Sequence, residues 1–375
     1  MKGIYFSYSD TETGNSGVGR KIDAQYQSFC NHGFDMEFYV FRKPVDKWNK
    51  IVRRLPFSNN TPVWENNKKY EGKDFIYLRR PQAMSRPFIN FLKKIKQQNP
   101  QIKIIMEIPT FPYDKEMTKD WFNYPLFIKD KIARKKLEGL IDRITCVSDE
   151  KQIYGIETIK IRNGFDFQGN SVERHSDLDS INIACVAWFS FWHGYDRLIN
   201  GLKSYYDQGG DYNIILHFIG EGPELTSYKE LAKEVGMDSH VIFYGKKNKD
   251  EIFSILCKCN IGAGTLGMYR KGYFGLDASL KLREYMASGL PLITGAETDV
   301  SQIKELKRFV LEYPNDETII NIDIIIAYLN NLNLMFNNDE NMLGRTIRLY
   351  AEKYFGMIVA MKGVFEYLDH IAIDI

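Results

Sequence analysis

Short runs rich in β-branched and aromatic residues alternate with longer amphipathic stretches of helical period along nearly the whole chain. The first half reads GIYFSYS, a helical pattern from Arg20 to His32, MEFYVF, FIYLRR, a helix near Phe88 to Gln98, KIIMEIP, a helix from Leu126 to Leu140, and RITCVS. After IKIRNGFD, the stretch FQGNSVERHSDLDS is polar and without periodicity, which marks a linker. The alternation restarts with INIACVA, YDRLINGLKSYY, YNIILHFIG, ELTSYKELAKEV, VIFYG, KDEIFSILCKC, NIGAGTL, a helix in SLKLREYMASGLP, PLITGA and FVLEYP. A helical pattern from Glu340 to Asp374 lies outside either strand series. Alternating strands and helices predict parallel sheets covered by helices on both faces.

Two such units in tandem make an α/β chain of two Rossmann-like domains facing a cleft, 1–168 and 180–345, with a helical segment 346–375 packing across both. Ligands of open parallel sheets sit outside the carboxyl ends of the strands. The 375 residues, 44% hydrophobic and 14% aromatic, allow two domains with ample cores. Cys30, Cys146, Cys185, Cys257 and Cys259 form an odd set with neither a disulfide framework nor paired zinc spacing, which fits a reducing cytosol. The start MKGIYFSYSD has no apolar signal region, and no run approaches the length of a membrane-spanning helix, so the chain is expected to be neither secreted nor membrane-spanning.

A net charge of +2 conceals an asymmetry: residues 1–170 hold 30 Lys and Arg against 20 Asp and Glu, and the remainder 20 against 28. The clusters KWNKIVRR, YLRR, FLKKIK and IARKK all fall in the first half. Each alone reads as a solvated face. Jointly they suit an anionic partner such as an inner-leaflet surface. Nucleic acid is disfavoured because no reading module accompanies them.

GNSGVGRK, Gly14 to Lys21, is a near miss for a phosphate-binding loop, with Arg20-Lys21 where Lys followed by Ser or Thr is required. Two readings stay open: a flexible glycine rim for a ligand, or a tight strand-to-helix turn at Gly17 and Gly19. IGEGPE, with Gly220 and Gly222, is a similar turn whose interest is its place, since VAWFSFWHG, IGEGP, VIFYG and the loop before SLKLRE converge on one sheet edge. The loop LGMYRKGYFGLDASLKLRE concentrates the candidate chemistry. Arg270 and Lys271 are adjacent cations, Asp277 lies seven residues before Glu284, and Ser279 and Leu280 place amides at a helix start. Lys281 and Glu284 share a face one turn apart. Cations, a helix N-terminus and a carboxylate suit a sugar nucleotide, with phosphates on amides and cations and hydroxyls on Glu284. The plainer alternative is a capping Ser279 and a surface ion pair between Lys281 and Glu284.

GVGRK, IRNGFD, FSFWHGYDRLI, LHFIGEGPE, VIFYG and above all SLKLREYMASGLP resemble glycosyltransferase family 4, whose members have the GT-B fold and retain anomeric configuration. The resemblance implies that Glu284 binds the ribose of a nucleotide, that Ser279 and Leu280 meet its diphosphate through backbone amides, and that Gly17 to Gly19, beside Arg20, cap the donor from the opposite domain. Base recognition falls near Tyr244 to Lys246, and Gly220 and Gly222 shape the donor turn. The chain departs from the family in four places. The first acid of the signature falls on Leu276, with Asp277 one residue late. Positions that carry cations in many members read Trp188 and His193, either side of Ser190. Arg270, Lys271 and Lys281 are left to supply positive charge. A first-domain histidine is missing where EIPTFPYD carries Pro112, Tyr113 and Asp114, which leaves Tyr113 and Asp114 as acceptor-side candidates.

The implied activity is a cytoplasmic, retaining hexosyltransferase of surface polysaccharide synthesis, with Asp277, Glu284, Arg270 and Lys271 as the candidate catalytic set. Its donor is a UDP or GDP sugar and its acceptor a saccharide or polyprenyl-diphosphate-linked oligosaccharide. No cofactor and no essential metal are expected, because no paired-acid loop or His/Cys cluster has ligand spacing. The alternatives are a catalytically inactive nucleotide-sugar-binding module and another GT-B enzyme such as a sugar-nucleotide epimerase.

Overall fold

The computed structural model describes residues 1–7, 17–41, 51–52, 54–55, 70–118, 121–167, 172, 180–272 and 276–373. Gly14 to Ser16 of the first glycine-rich loop, residues 273–275 and nearly all of the expected linker lie outside the described residues. The chain divides into two compact units, the first formed by Met1–Gly164 with Met357–Ile375 and the second by Phe165–Gly356.

The first unit contains β1 (Lys2–Ser7), α1 (Gly17–Asn31), β2 (Asp35–Val40), β3 (Phe75–Arg79), α2 (Arg86–Gln98), β4 (Lys103–Glu107), α3 (Asp114–Thr118), α4 (Tyr124–Arg134), β5 (Arg143–Cys146), β6 (Gln152–Ile153) and β7 (Ile156–Lys160). Its sheet has the order β2-β1-β3-β4-β5-β7-β6, parallel except for the antiparallel β6–β7 pair. Side chains of β1 go alternately to opposite faces, Ile4 and Phe6 into one core with Leu78, Phe88 and Ile104, and Tyr5 into another with Phe29, Phe75 and Ile105. A strand buried on both faces has no polar side, which is why the middles of these runs are apolar without alternation.

The second unit contains β8 (Ser180–Trp188), α5 (Tyr195–Asp207), β9 (Asn213–Glu221), α6 (Leu225–Glu234), β10 (Val241–Gly245), α7 (Lys249–Leu256), β11 (Ile261–Ala263), α8 (Leu280–Ala287), β12 (Leu292–Thr294), α9 (Lys304–Lys307), β13 (Val310–Glu312), α10 (Ile322–Met335) and α11 (Glu340–Phe355). Its sheet is parallel, in the order β10-β9-β8-β11-β12-β13. Ile183 and Cys185 pack with Leu198 and Leu202 on one face, and Ala184 with Leu282, Tyr285 and Met286 on the other.

After Gly356 the chain returns to the first unit as α12 (Met357–Ala360) and α13 (Lys362–Ile373). The expected helical tail is therefore divided, α11 belonging to one unit and α12 and α13 to the other. The expected helix to Leu140 ends at Arg134. Hydrophobic periodicity predicts neither α10, which starts at an Asn321 cap accepting from the Asp323 amide at 2.8 Å, nor the β6–β7 hairpin.

Candidate functional site

Because β8, β9, β10 and β11 run parallel, their carboxyl ends and the loops that follow share one edge of the second unit's sheet. After Trp188 the chain forms a 3₁₀ turn, Phe191–His193, before α5. The Ser190 amide donates to His193 Nδ1 at 2.9 Å, so Nδ1 is the acceptor and the ring proton is assigned to Nε2. Burial, reinforced by the Lys281 cation, pushes His193 down to about 2 and keeps it neutral. Its ring stacks on that of Tyr195, with centroids 5.7 Å apart.

Tyr195 links the turn to α8. Its hydroxyl donates to the Ala263 carbonyl at 3.0 Å and accepts from Lys281 Nζ at 3.3 Å. Burial lowers the Lys281 ammonium to about 8, while the Asp277 carboxylate acts to raise it. Asp277 is buried and held by its own amide, which donates to the Glu297 carbonyl at 2.8 Å. Its Oδ1 accepts the Ser279 amide at 2.9 Å, whereas Oδ2 and the Ser279 hydroxyl are buried without a hydrogen-bond partner among the described residues. Glu284 is buried in the second turn of α8. The orphaned oxygens, the depressed lysine, the neutral imidazole and the first amides of an eight-residue helix thus meet at one end of α8.

Backbone approach makes this convergence possible. A Cβ on Gly194, at φ +65°, would stand 2.5 Å from the Gly267 nitrogen, so the loop before α8 packs directly on the 3₁₀ turn. Gly222, at φ +146°, brings the turn after β9 against Phe189, whose carbonyl oxygen would lie 2.3 Å from an added Cβ. Gly220 is the penultimate residue of β9.

Several sequence-predicted residues are placed differently from expectation. Arg270 does not present free charge: its guanidinium is bidentate to Asp196 at 2.7 Å and also bonds Glu317 at 2.6 Å. Lys271 is exposed, its amine 4.6 Å from the Trp192 ring centroid. The Ser279 amide, expected to meet a diphosphate, is taken by Asp277, which leaves the amides of Leu280 and Lys281 to open the helix. Trp188 is exposed at the end of β8, and Lys246 is exposed after Gly245. Tyr244 donates to His217 Nδ1 at 2.9 Å, since His217 Nε2 bonds the Asn182 side-chain carbonyl at 2.8 Å. Its hydroxyl is therefore committed within the sheet.

In the first unit, Gly17, Gly19 and Arg20 form the first turn of α1. Lys21, the lysine of the near-miss loop, is buried and bonds Glu107 at 3.0 Å and Asn163 at 2.8 Å. Tyr113 is buried with its hydroxyl on Asp130 at 2.9 Å, and Asp114 forms a bidentate pair with Arg134 at 2.7 and 3.0 Å. Neither presents an unengaged group to an acceptor. Tyr195, for which no role is expected from the sequence, ties His193 to Lys281 through its stacking and hydroxyl; its signal in the sequence is an aromatic directly after the His-Gly turn. Asp196 and Glu317, which neutralise Arg270, were equally silent.

The start of α8 lies within a segment that matches a known family model. Residues 168–322 match the family Glycosyl transferases group 1. This group 1 region includes His193, Tyr195, Asp277, Lys281 and Glu284. The whole chain also superposes on solved structures. Anabaena HepE in complex with UDP is 12% identical with a TM-score of 0.61, and the match covers 99% of this chain and all of that one. Sucrose-phosphate synthase from Thermosynechococcus elongatus is 12% identical, TM-score 0.63, covering 99% of each chain. The lipopolysaccharide outer core galactosyltransferase WaaB, in its apo form, is 14% identical, TM-score 0.54, covering 97% of this chain and 98% of that one. At such identities the likeness establishes the fold: two parallel-sheet α/β domains of GT-B type. Among curated proteins, none matches the sequence.

Proposed function

We propose that this protein is a retaining glycosyltransferase that moves a hexose-type sugar from a UDP or GDP sugar to a saccharide or polyprenyl-diphosphate-linked acceptor, in the synthesis of a surface polysaccharide at the inner face of the plasma membrane. The observation that carries the reading is the set of unsatisfied and depressed groups at the start of α8: the orphan oxygens of Asp277 and Ser279, the Lys281 ammonium at about 8, and the first amides of the helix. In this reading Lys281 and the Leu280 and Lys281 amides hold the diphosphate, the neutral His193 donates through Nε2, Asp277 accepts from a sugar hydroxyl and Glu284 from the ribose. A departing nucleotide diphosphate gains negative charge as the glycosidic bond breaks, and donors fixed in advance meet that charge without reorganisation. The group 1 match and the UDP bound by HepE support this use of the site.

Incubation with a panel of nucleotide sugars tests the reading, since nucleotide diphosphate release should depend on a saccharide acceptor and persist in a chelator. Product anomeric configuration, read by NMR coupling, checks retention. Glu284→Ala is expected to weaken nucleotide binding roughly ten- to a hundredfold while leaving the thermal midpoint near that of the parent. Unchanged affinity would remove Glu284 from the donor site. Binding without turnover for every donor would favour the inactive module, for which Leu276 in place of an acid and the neutralised Arg270 are the motivating features.

A further inference from the structure

Helix α4 (Tyr124–Arg134) is apolar on two sides. Its inner face is accounted for, because Leu126, Phe127 and Ala133 are buried and Asp130 accepts the Met84 amide at 2.8 Å and the Tyr113 hydroxyl at 2.9 Å. Its outer face carries Tyr124, Ile128 and Ile132 at four-residue spacing, and all three are exposed. The preceding turn adds Trp121 and Phe122, which are 75% and 60% exposed. Arg54 secures that turn from a distant segment, donating to the Phe122 carbonyl at 3.1 Å and to the Asn123 side chain at 3.0 Å. Five large apolar side chains facing water on one turn and one helix stripe are unusual on a protein that needs them for nothing.

The charges around the patch identify what it fits. Lys131, Lys135 and Lys136 are exposed, and the one acid between residues 121 and 136, Asp130, is buried. The exposed ionised side chains between residues 121 and 136 are therefore all cationic, and Glu138 is the first exposed acid beyond them. We propose that the outer face of α4 and the Trp121-Phe122 turn seat this protein on an anionic lipid surface, the aromatic and aliphatic side chains entering the headgroup boundary and the lysines meeting lipid phosphates. An amphipathic helix with aromatic and branched residues on one stripe and lysines beside it has the chemistry of such a surface. A second copy of the chain fits less well, because a two-fold contact would set the same lysines against one another. The assignment rests on the membrane-side placement proposed above, and it names the residues that make the contact.

Flotation with phosphatidylcholine vesicles, with and without phosphatidylglycerol, tests it. The protein should float with the anionic vesicles only, and high salt should release it. Lys131→Gln, Lys135→Gln and Lys136→Gln together, and separately Ile128→Glu with Ile132→Glu, should each lower partition by roughly tenfold or more, with circular dichroism and UDP affinity unchanged. Equal binding to neutral vesicles, or anionic binding that survives both variants, would overturn the proposal. So would a concentration-dependent dimer abolished by Ile128→Glu, which would give the face to a second copy. Failure to float with UDP affinity intact rejects this surface alone, whereas flotation without nucleotide binding rejects the donor reading and leaves the surface standing.

Discussion

Lys281 shows at the level of one side chain how burial and function oppose each other. Withdrawal from water lowers its ammonium to about 8, below its ordinary range, and the Asp277 carboxylate recovers only part of that. A diphosphate would favour the charged form, so in the proposed reading nucleotide affinity falls as pH rises through about 8, where the free site loses its proton. Titration calorimetry across that window should show the decline, and Lys281→Met should bind more weakly with a flatter profile. The same variant should melt no earlier than the parent, because the folded state no longer holds a cation away from solvent. Glu107 is the opposite case. Burial acts to raise its pKa, but the Lys21 and Arg79 cations outweigh it and hold the carboxyl below its usual range. Its contribution to stability is present above the unfolded carboxyl value and is lost as pH falls through the lower folded one. Glu107→Gln, which leaves two cations facing a neutral amide, should cost about 3 kcal/mol or more in chemical denaturation. Neither Lys21 nor Glu107 names the other in the sequence: GVGRK and KIIMEIP stand 86 residues apart, and only the closing of the sheet brings them together.

At the scale of elements, the loops at the carboxyl ends of β8, β9 and β11 decide the geometry of the candidate site, and glycine decides the loops. Gly222→Ala forces a side chain into a backbone conformation reserved for glycine and within 2.3 Å of the Phe189 carbonyl oxygen. The expected cost is about 2 kcal/mol or more, read as a lower thermal midpoint together with weakened nucleotide binding. Retained binding at full stability would show that the turn can relax. This element level was also the most legible. Runs such as YNIILHFIG and KIIMEIP are predominantly apolar because helices cover both sheet faces, and their lengths separate them from the amphipathic helices between. The glycine turns were equally plain. What stayed hidden is what depends on packing across distance. The apolar stretch of α10 has no clear polar face, so periodicity did not reveal it, and β6 is two residues long. The ion pairs that remove Arg270 from service join it to residues 74 and 47 positions away. Adjacent cations in a glycine-rich loop suggest an anion site; the structure distinguishes them by giving carboxylates to one and an aromatic ring to the other.

Across the whole molecule, chain connectivity does not follow the order of the domains. The first unit closes with the last residues of the sequence: Met361, Val364, Phe365 and Leu368 complete the core formed by Tyr5, Ile22, Phe29 and Phe75. Phe365 meets Phe29 edge-on at 5.4 Å and stacks on His32 at 4.3 Å, and the His32 ring lies 3.0 Å from Asp369. These four apolar side chains are almost fully buried, and exposing each costs about 1.5–3 kcal/mol, a sum comparable with the whole stability of a domain. The second unit has its own core, to which none of the described residues beyond Gly356 contributes. Truncation after Gly356 should therefore unfold the first unit selectively. Calorimetry should show one transition lost or strongly lowered, while the transition of the second unit, and nucleotide binding if the donor site lies at α8, persist. Loss of both together would mean that the second unit cannot stand without the first. An unchanged first transition would mean that α12 and α13 cover a core already complete without them.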